Sequence, residues 1–443
     1  MKILLIQPAV TKEFVWAESS HRHLQPLAPA VLAGLTPEKH SVSFIDDRLE
    51  EIPYHSEPDL VGISTMTATA RRAYSIADRF REKGVPVILG GHHPTVMAEE
   101  AAQHAHSVVI GEAEEIWEQI LDDYERGRPD QYYKARNKPD LSNVKPPQRG
   151  IFKEKNYLPI EMVETTRGCP HHCDFCSVSA FFGPGYRHKP VENVVEEVRG
   201  LQHNRIFFID DNNVGDPEYA KRLFRALAPL KIRWFGQASL LMARDEELLE
   251  LMRKSGCVGN LIGIESLSKE NLAEVGKSWN MELPYEEAIK RIHAHGLAIY
   301  ASFVLGLGED DVAGLKRILD FSIESRFMAA SFVMLSPNPG TRTYNKLRDE
   351  GRLLKERPWL EPEYHTARFR PRNFSPLELA RISAEMSRKF FGLRSIIRRA
   401  LNWRANMGSP FEVFLYWAMN IALRKEFKRR YKEFWRHHDR APV

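Results

Sequence analysis

Thr165-Thr166-Arg167-Gly168-Cys169-Pro170-His171-His172-Cys173-Asp174-Phe175-Cys176 is the stretch on which the reading of this 443-residue chain turns. It holds three of the chain's four cysteines, at C-x3-C-x2-C spacing. A loop this short turns three thiolates toward one metal centre. Three thiolates ligate three irons of a four-iron, four-sulfur cube and leave the fourth iron without a protein ligand, whereas electron-transfer clusters take four cysteines. An open iron is one kept for a small molecule. The alternatives are a zinc knuckle and a disulfide. Structural zinc wants a closed tetrahedron of paired ligands, which His171 and His172, inside the loop, complete poorly. Three clustered thiols with no signal peptide argue against a disulfide.

With Phe175 just before the last cysteine and Arg-Gly-Cys-Pro at its start, the loop resembles that of the radical S-adenosylmethionine superfamily. The resemblance implies that Cys169, Cys173 and Cys176 hold a [4Fe-4S] cluster. Its open iron would chelate the amino and carboxylate groups of S-adenosylmethionine, and one electron would cleave the sulfonium to methionine and a 5′-deoxyadenosyl radical. Phe175 is then expected against the adenine. An electron donor of the flavodoxin or ferredoxin type is implied as a partner.

Outward from the loop, residues 161–344 show apolar runs at 161–166, 205–210, 231–238, 258–265, 297–305 and 328–335, with helical periodicity between them. Six strand–helix repeats predict a partial (β/α)6 barrel, whose functional face lies at the carboxyl ends of its strands. The cysteine loop follows the first strand and so sits on that face. By the resemblance, Gln237, Glu265, Ser266 and Gly306, at later strand ends, contact S-adenosylmethionine. Asp210-Asp211-Asn212-Asn213 ends the second strand and faces the nucleoside or the substrate. Cys257, alone in an apolar context, is expected in the core.

Residues 1–125 alternate in the same way, with apolar runs at 2–7, 42–46, 60–65, 85–89 and 107–110. Short apolar strands separated by helices predict a doubly wound, Rossmann-like parallel sheet. Such sheets bind ligands at the carboxyl ends of their strands. Those ends carry Ser64-Thr65-Met66, Gly90-Gly91-His92-His93 and Gly111-Glu112. The order resembles a cobalamin-binding domain, in which a Ser-x-Leu segment and a later Gly-Gly line the pocket for the nucleotide tail. Here Met66 replaces the Leu. The resemblance implies cobalamin contacts at Ser64, Thr65, Gly90, Gly91, His93 and Glu112. The Asp-x-His-x-x-Gly motif that ligates cobalt from below in many such domains is missing after the first strand, where His21 and His23 stand instead.

Residues 126–160, broken by Gly127, Pro129, Pro139, Pro146, Pro147 and Gly150, read as a linker without regular structure. Residues 345–443 read as helical, with helices over 377–400 and 411–435. The net charge of +4 is uneven: from Arg381 onward there are 15 Lys/Arg and 5 Asp/Glu, a local +10 against −6 for the rest. The last helix mixes aromatic and basic residues, which suits either peripheral contact with a membrane interface or packing on the barrel with a solvated basic face. Nothing resembles a nucleic-acid module. With no signal-peptide pattern, no apolar run near the ~20 residues of a membrane span and free clustered thiols, a cytoplasmic protein is expected.

Together the two resemblances imply a cobalamin-dependent radical S-adenosylmethionine enzyme. Its expected reaction is methylation of an unactivated carbon in a small, lipid-like, tetrapyrrole or natural-product substrate. Cyclisation or rearrangement without methyl transfer is the alternative within the class, and product mass separates the two. Outside the class stands a non-catalytic cobalamin-binding or sensing protein, against which the intact cysteine loop argues.

Overall fold

The computed structural model describes residues 1–10, 23–361 and 366–438. It contains two six-stranded parallel sheets. The first comprises β1 (Lys2–Gln7), β2 (Ser41–Asp46), β3 (Leu60–Ser64), β4 (Val87–Gly90), β5 (Ser107–Ile110) and β6 (Tyr132–Lys134), in the order β2-β1-β3-β4-β5-β6. Side chains alternate between faces along a strand. Leu4 and Ile6 therefore bury against the helix Ala70–Arg81, and Ile3 and Leu5 against the helices Leu27–Leu35 and Trp117–Glu125. Both faces being covered, the strand reads as an unbroken apolar run. The chain order reverses at β1 and β3, where a doubly wound sheet opens its crevice.

The stretch 126–160 departs from its expected lack of regular structure. Tyr132–Lys134 extends the sheet as β6, with Tyr133 buried and its neighbours exposed. The aromatic pair is what lets so short a segment hold an edge position.

In the second sheet lie β7 (Glu161–Val163), β10 (Arg205–Phe208), β11 (Arg233–Ala238), β12 (Cys257–Glu265), β13 (Ala298–Leu305) and β14 (Ala329–Met334). They pair in the order β14-β13-β12-β11-β10-β7, all parallel, the arrangement of an open (β/α)6 barrel. β7 stops at Val163, short of the expected 166. Thr165 donates its N–H to Asp210 Oδ1 at 2.8 Å, as does Thr166, which turns the chain inward. β8 (Thr166–Gly168) then pairs antiparallel with β9 (Tyr186–His188), and this hairpin brackets the cysteines. The helices Pro217–Leu227, Glu246–Lys254 and Val312–Glu324 start at Asp216, Asp245 and Asp311, whose carboxylates accept the free N–H groups of the first turn.

The C-terminal region is helical. The helix expected over 377–400 is two, Pro376–Phe390 and Leu393–Ala400, parted at Gly392. The long helix Pro410–His438 packs on the barrel, with Tyr416 and Asn420 fully buried. Among the described residues no helix is long and apolar enough to cross a membrane.

Candidate cofactor site

Cys169, Cys173 and Cys176 lie between β8 and the short helix Ser177–Phe182, on the barrel's carboxyl face, and all three are partly buried. Burial pushes each thiol up, Cys173 to about 12. Cys173 feels the charge of both other cysteines, so the three share one site. Among the described residues no three Cys, His, Asp or Glu side chains converge as a single-ion site. Three thiols sharing one site fit a cube, which takes each thiolate on a different iron. Cys257 is fully buried in the barrel core, as expected, with Asn260 Nδ2 donating to its sulfur at 3.4 Å.

Polar groups surround the loop. Asn212 Nδ2 lies 4.0 Å from Cys169 Sγ. Lys277 Nζ donates to Glu265 Oε1 at 2.8 Å and to the Gly263 carbonyl at 2.9 Å, and its charge favours the thiolates of Cys169 and Cys173 against their burial. Trp279 stacks on His171 with centroids 3.5 Å apart and covers one side of the loop. Burial raises Asp210 to about 6; burial and the neighbouring Asp210 charge raise Asp211 to about 7. Asp210 Oδ2, Asn213 Oδ1 and Trp279 Nε1 are buried without a protein partner. Buried polar atoms are ordinarily satisfied, so these orphans suit a site built for a polar ligand such as S-adenosylmethionine.

The residues expected around S-adenosylmethionine divide. Phe175 packs against the edge of the barrel core. Gln237 shares the half-buried face of β11 with Phe235. Glu265 is buried at φ 66°, a left-handed conformation for a non-glycine residue, and its carboxylate pairs with Lys277 beside the loop. Ser266 is buried, its hydroxyl already accepting from Ser268 N–H at 3.1 Å and Asn271 Nδ2 at 3.3 Å. Gly306 forms a turn whose N–H donates to Asp310 Oδ2 at 2.8 Å, and it lines a separate cavity of about 120 Å³ behind Asp174.

The first sheet meets this face with an apolar cavity of about 230 Å³. Leu27, Val31, Ile63, Ile88 and Trp117 wall it, and Gly62, Gly90 and Gly111 leave room at the strand ends. Its far side is closed by Phe181, Phe182 and Arg167 of the cysteine loop region. A flat aromatic base such as the tail of cobalamin fits such a slot. Ser64, Gly90, Gly91 and Glu112 line it. Thr65 is fully buried next to Gly91, and its hydroxyl lacks a partner.

One cobalamin expectation differs from the structure. His93 does not line the cavity: it is fully buried behind the Gly-Gly turn, with Nε2 3.0 Å from Glu100 Oε1 and its ring 5.6 Å from Trp359. Glu112 lines the cavity, but its carboxylate is engaged by Arg167 at 2.6 Å and Arg187 at 2.5 Å. His21 lies outside the described residues.

Sequence reasoning missed the groups that join the two sheets. Arg167 reaches Glu112 and Glu114 at 2.6 Å each and Glu164 at 2.9 Å. His92 Nε2 stands 3.1 Å from the Ser177 carbonyl, just after the cysteine loop. Arg167 stood in the decisive stretch itself; nothing local marked its partners, nor Lys277 and Trp279 as neighbours of the loop.

Comparison with known proteins agrees with this geometry. Residues 163–321 match the model of the radical SAM superfamily, and residues 21–121 that of the B12 binding domain. The chain is 30% identical over 418 residues to bacteriochlorophyllide d C-12(1)-methyltransferase of Chlorobaculum tepidum, covering 91% of each chain. It is 24% identical to the hopanoid C-2 methylase of Rhodopseudomonas palustris, over 80% of this chain and 71% of that protein. Its fold is that of the cobalamin-dependent S-adenosylmethionine radical enzyme OxsB (TM-score 0.67, 16% identity, 99% of this chain and 75% of that one). It is also that of the radical S-adenosylmethionine methyltransferase TsrM from Kitasatospora setae (TM-score 0.65, 16% identity, 98% and 99%). The chain belongs to the cobalamin-dependent radical S-adenosylmethionine methyltransferase family, and its cofactors are a [4Fe-4S] cluster, S-adenosylmethionine and cobalamin.

Proposed function

We propose that this protein methylates an unactivated carbon of a tetrapyrrole-like substrate. The observation that carries methyl transfer is the juxtaposition of the two sites: the cavity of the first sheet is closed by Arg167, Phe181 and Phe182, which flank the cysteines. The substrate class is supported by the bacteriochlorophyllide d methyltransferase to which the chain is similar nearly end to end.

When bound, the cluster and S-adenosylmethionine supply a carbon-centred radical, and cobalamin supplies the methyl group. The chain's own residues do the rest. Cys169, Cys173 and Cys176 hold the cluster, with Asn212 and Lys277 offering donors and positive charge beside them. Trp279, stacked on His171, keeps water from that side. Gln237 and Glu265 orient S-adenosylmethionine, while Ser64, Gly90 and Gly91 seat the cobalamin tail. Arg167 fixes the separation of the two sites by binding carboxylates from both. The electron comes from an external donor of the flavodoxin or ferredoxin type.

The test is anaerobic reconstitution with iron, sulfide and hydroxocobalamin, then addition of S-adenosylmethionine, reductant and bacteriochlorophyllide d. The reading expects 5′-deoxyadenosine and a product heavier by one methylene. Nucleoside formation with an unmethylated, isomerised product would favour the radical rearrangement instead. Unimpaired product formation after Cys→Ala substitution at all three loop positions would end the reading that the chemistry runs through a cluster held by this loop.

A further inference from the structure

Six of the thirteen large hydrophobic side chains exposed among the described residues fall between positions 393 and 421. Leu393, Ile397 and Leu401 make an i, i+4, i+8 stripe along the helix Leu393–Ala400 and its end, whose other side buries Ile396 and Arg399. Trp403, 69% exposed, continues it. The helix Pro410–His438 turns Glu412, Tyr416 and Asn420 inward and carries Phe414 and Ile421 outward. Lys425, Lys428 and Lys432 prolong that outward face at helical spacing.

These segments gather at one end of the molecule. The Leu401 carbonyl accepts from Arg326 Nη1 at 3.5 Å, Asn406 Nδ2 donates to the Arg326 carbonyl at 3.0 Å, and Glu412 pairs with Arg253. Phe411 lies 5.5 Å beneath the Arg205 guanidinium. Arg205 starts β10, while Arg253 and Arg326 just precede β12 and β14. The apolar part of the patch thus lies at the amino ends of the barrel strands, opposite the cysteine loop, and the long helix carries its lysines from there up the barrel's flank, where Tyr431 lies beneath Arg388.

Charge selects the occupant. Arg394, Arg398 and Arg404 flank the stripe, exposed, though Arg398 also reaches Glu324 at 3.8 Å. Of the nearby acids Glu412 is buried, Glu426 is paired with Arg429 and Arg430, and the exposed Glu324 faces Arg398, so basic groups outnumber acidic ones around the stripe. A second copy on this patch would bring like charges together; an anionic surface would not. An apolar face carrying Trp and rimmed by Lys and Arg is what the boundary of an anionic bilayer binds. We propose that this patch docks the protein peripherally on an anionic membrane, with the cofactor face turned away from the bilayer.

Full-length protein is sedimented with vesicles of phosphatidylcholine plus phosphatidylglycerol, and with vesicles of phosphatidylcholine alone. Expected is binding to the mixed vesicles only, weakened about ten-fold or more by Lys425→Glu with Lys428→Glu. Comparable weakening is expected for Ile397→Glu with Trp403→Ala, circular dichroism confirming that each variant is folded. Equal binding to both lipids, no binding, or binding unchanged in the folded variants overturns the proposal. So does a concentration-dependent dimer that Ile397→Glu abolishes while vesicles are ignored. The measurement needs no cofactor or substrate, so its failure is separate from any failure of the methyl-transfer reading.

Discussion

Arg167 stands two residues before the first cluster cysteine and engages three carboxylates within 2.9 Å. Burial opposes its charge, but Glu164, Glu114 and Glu112 more than offset that, and the guanidinium is held firmly protonated. Arg167→Ala would leave the buried Glu114 and Glu164 without this cation and Glu112 with Arg187 alone, a loss of about 3–5 kcal/mol where a buried pair is broken. Arg167→Lys should recover only part, since an ammonium lacks the planar fork. Urea unfolding of the three proteins checks this, and an Ala variant as stable as the parent would remove the clasp from the account. The motif made Arg167 visible, but its partner Glu112 lies 55 residues earlier and could be read only as a strand-end group facing a ligand. His93 was misread for the same reason. A histidine after Gly-Gly looks like a ligand contact until Trp359, far along the chain, is seen to bury it.

His293 yields a pH dependence at the same scale. Burial, helped by the Arg326 charge, pulls its pKa from 6.5 to about 4, and Nε2 is buried without a partner. The unfolded chain takes up this proton near 6.5, whereas the folded chain resists it until about 4. The stability is therefore whole above 6.5 and is lost as pH falls through that window, at up to about 1.4 kcal/mol per unit. Thermal unfolding at pH 7.5 and 5 should show a smaller acid loss in His293→Leu than in the parent. Equal losses would place the titrating group elsewhere.

At the scale of elements, the turn after β4 shows what local signals can and cannot deliver. Gly91 sits at φ 101°, and a Cβ there would come within 2.9 Å of the Thr65 carbonyl. Gly91→Ala should cost about 1–3 kcal/mol and displace the turn into the neighbouring cavity. Cobalamin retained after desalting, read from the visible spectrum, should fall while the iron content of the reconstituted protein holds. Unchanged retention would mean that the turn does not bound the cobalamin site. A glycine pair at the end of an apolar run is legible because its cause is local. So is the start of the helix Pro376–Phe390, where Ser375 and Glu378 form a reciprocal capping box. The break at Gly392 was also local, yet apolar residues continue at helical spacing on both sides and masked it. β6 was beyond reach, because three residues become a strand only when Val108–Ile110 is there to pair with them.

At the scale of the whole molecule, the chain returns to its beginning after completing the barrel. Trp359, 2% exposed, packs with Tyr344 in the core of the first sheet and donates Nε1–H to Glu100 Oε1 at 3.0 Å, across 259 residues. Burial would raise Glu100, but bonds from His93, Trp359 and Tyr74 outweigh it and hold the carboxylate below its usual range. A boundary drawn at residue 344 follows the barrel's last turn, and no sequence pattern beyond it announces a partner so far upstream. The consequence is thermodynamic. Arg167 ties the sheets at their facing ends and Trp359 ties the C-terminal segment to the first sheet, so the two sheets should unfold together in one calorimetric transition. Trp359→Ala removes a buried indole, at about 3–5 kcal/mol, and leaves Glu100 one donor short. That loss falls on the first sheet alone, so the variant's transition should split, the earlier part being the one that added cobalamin moves upward. Two transitions already present in the parent, or a uniform shift in the variant, would show that the sheets are not coupled through this residue.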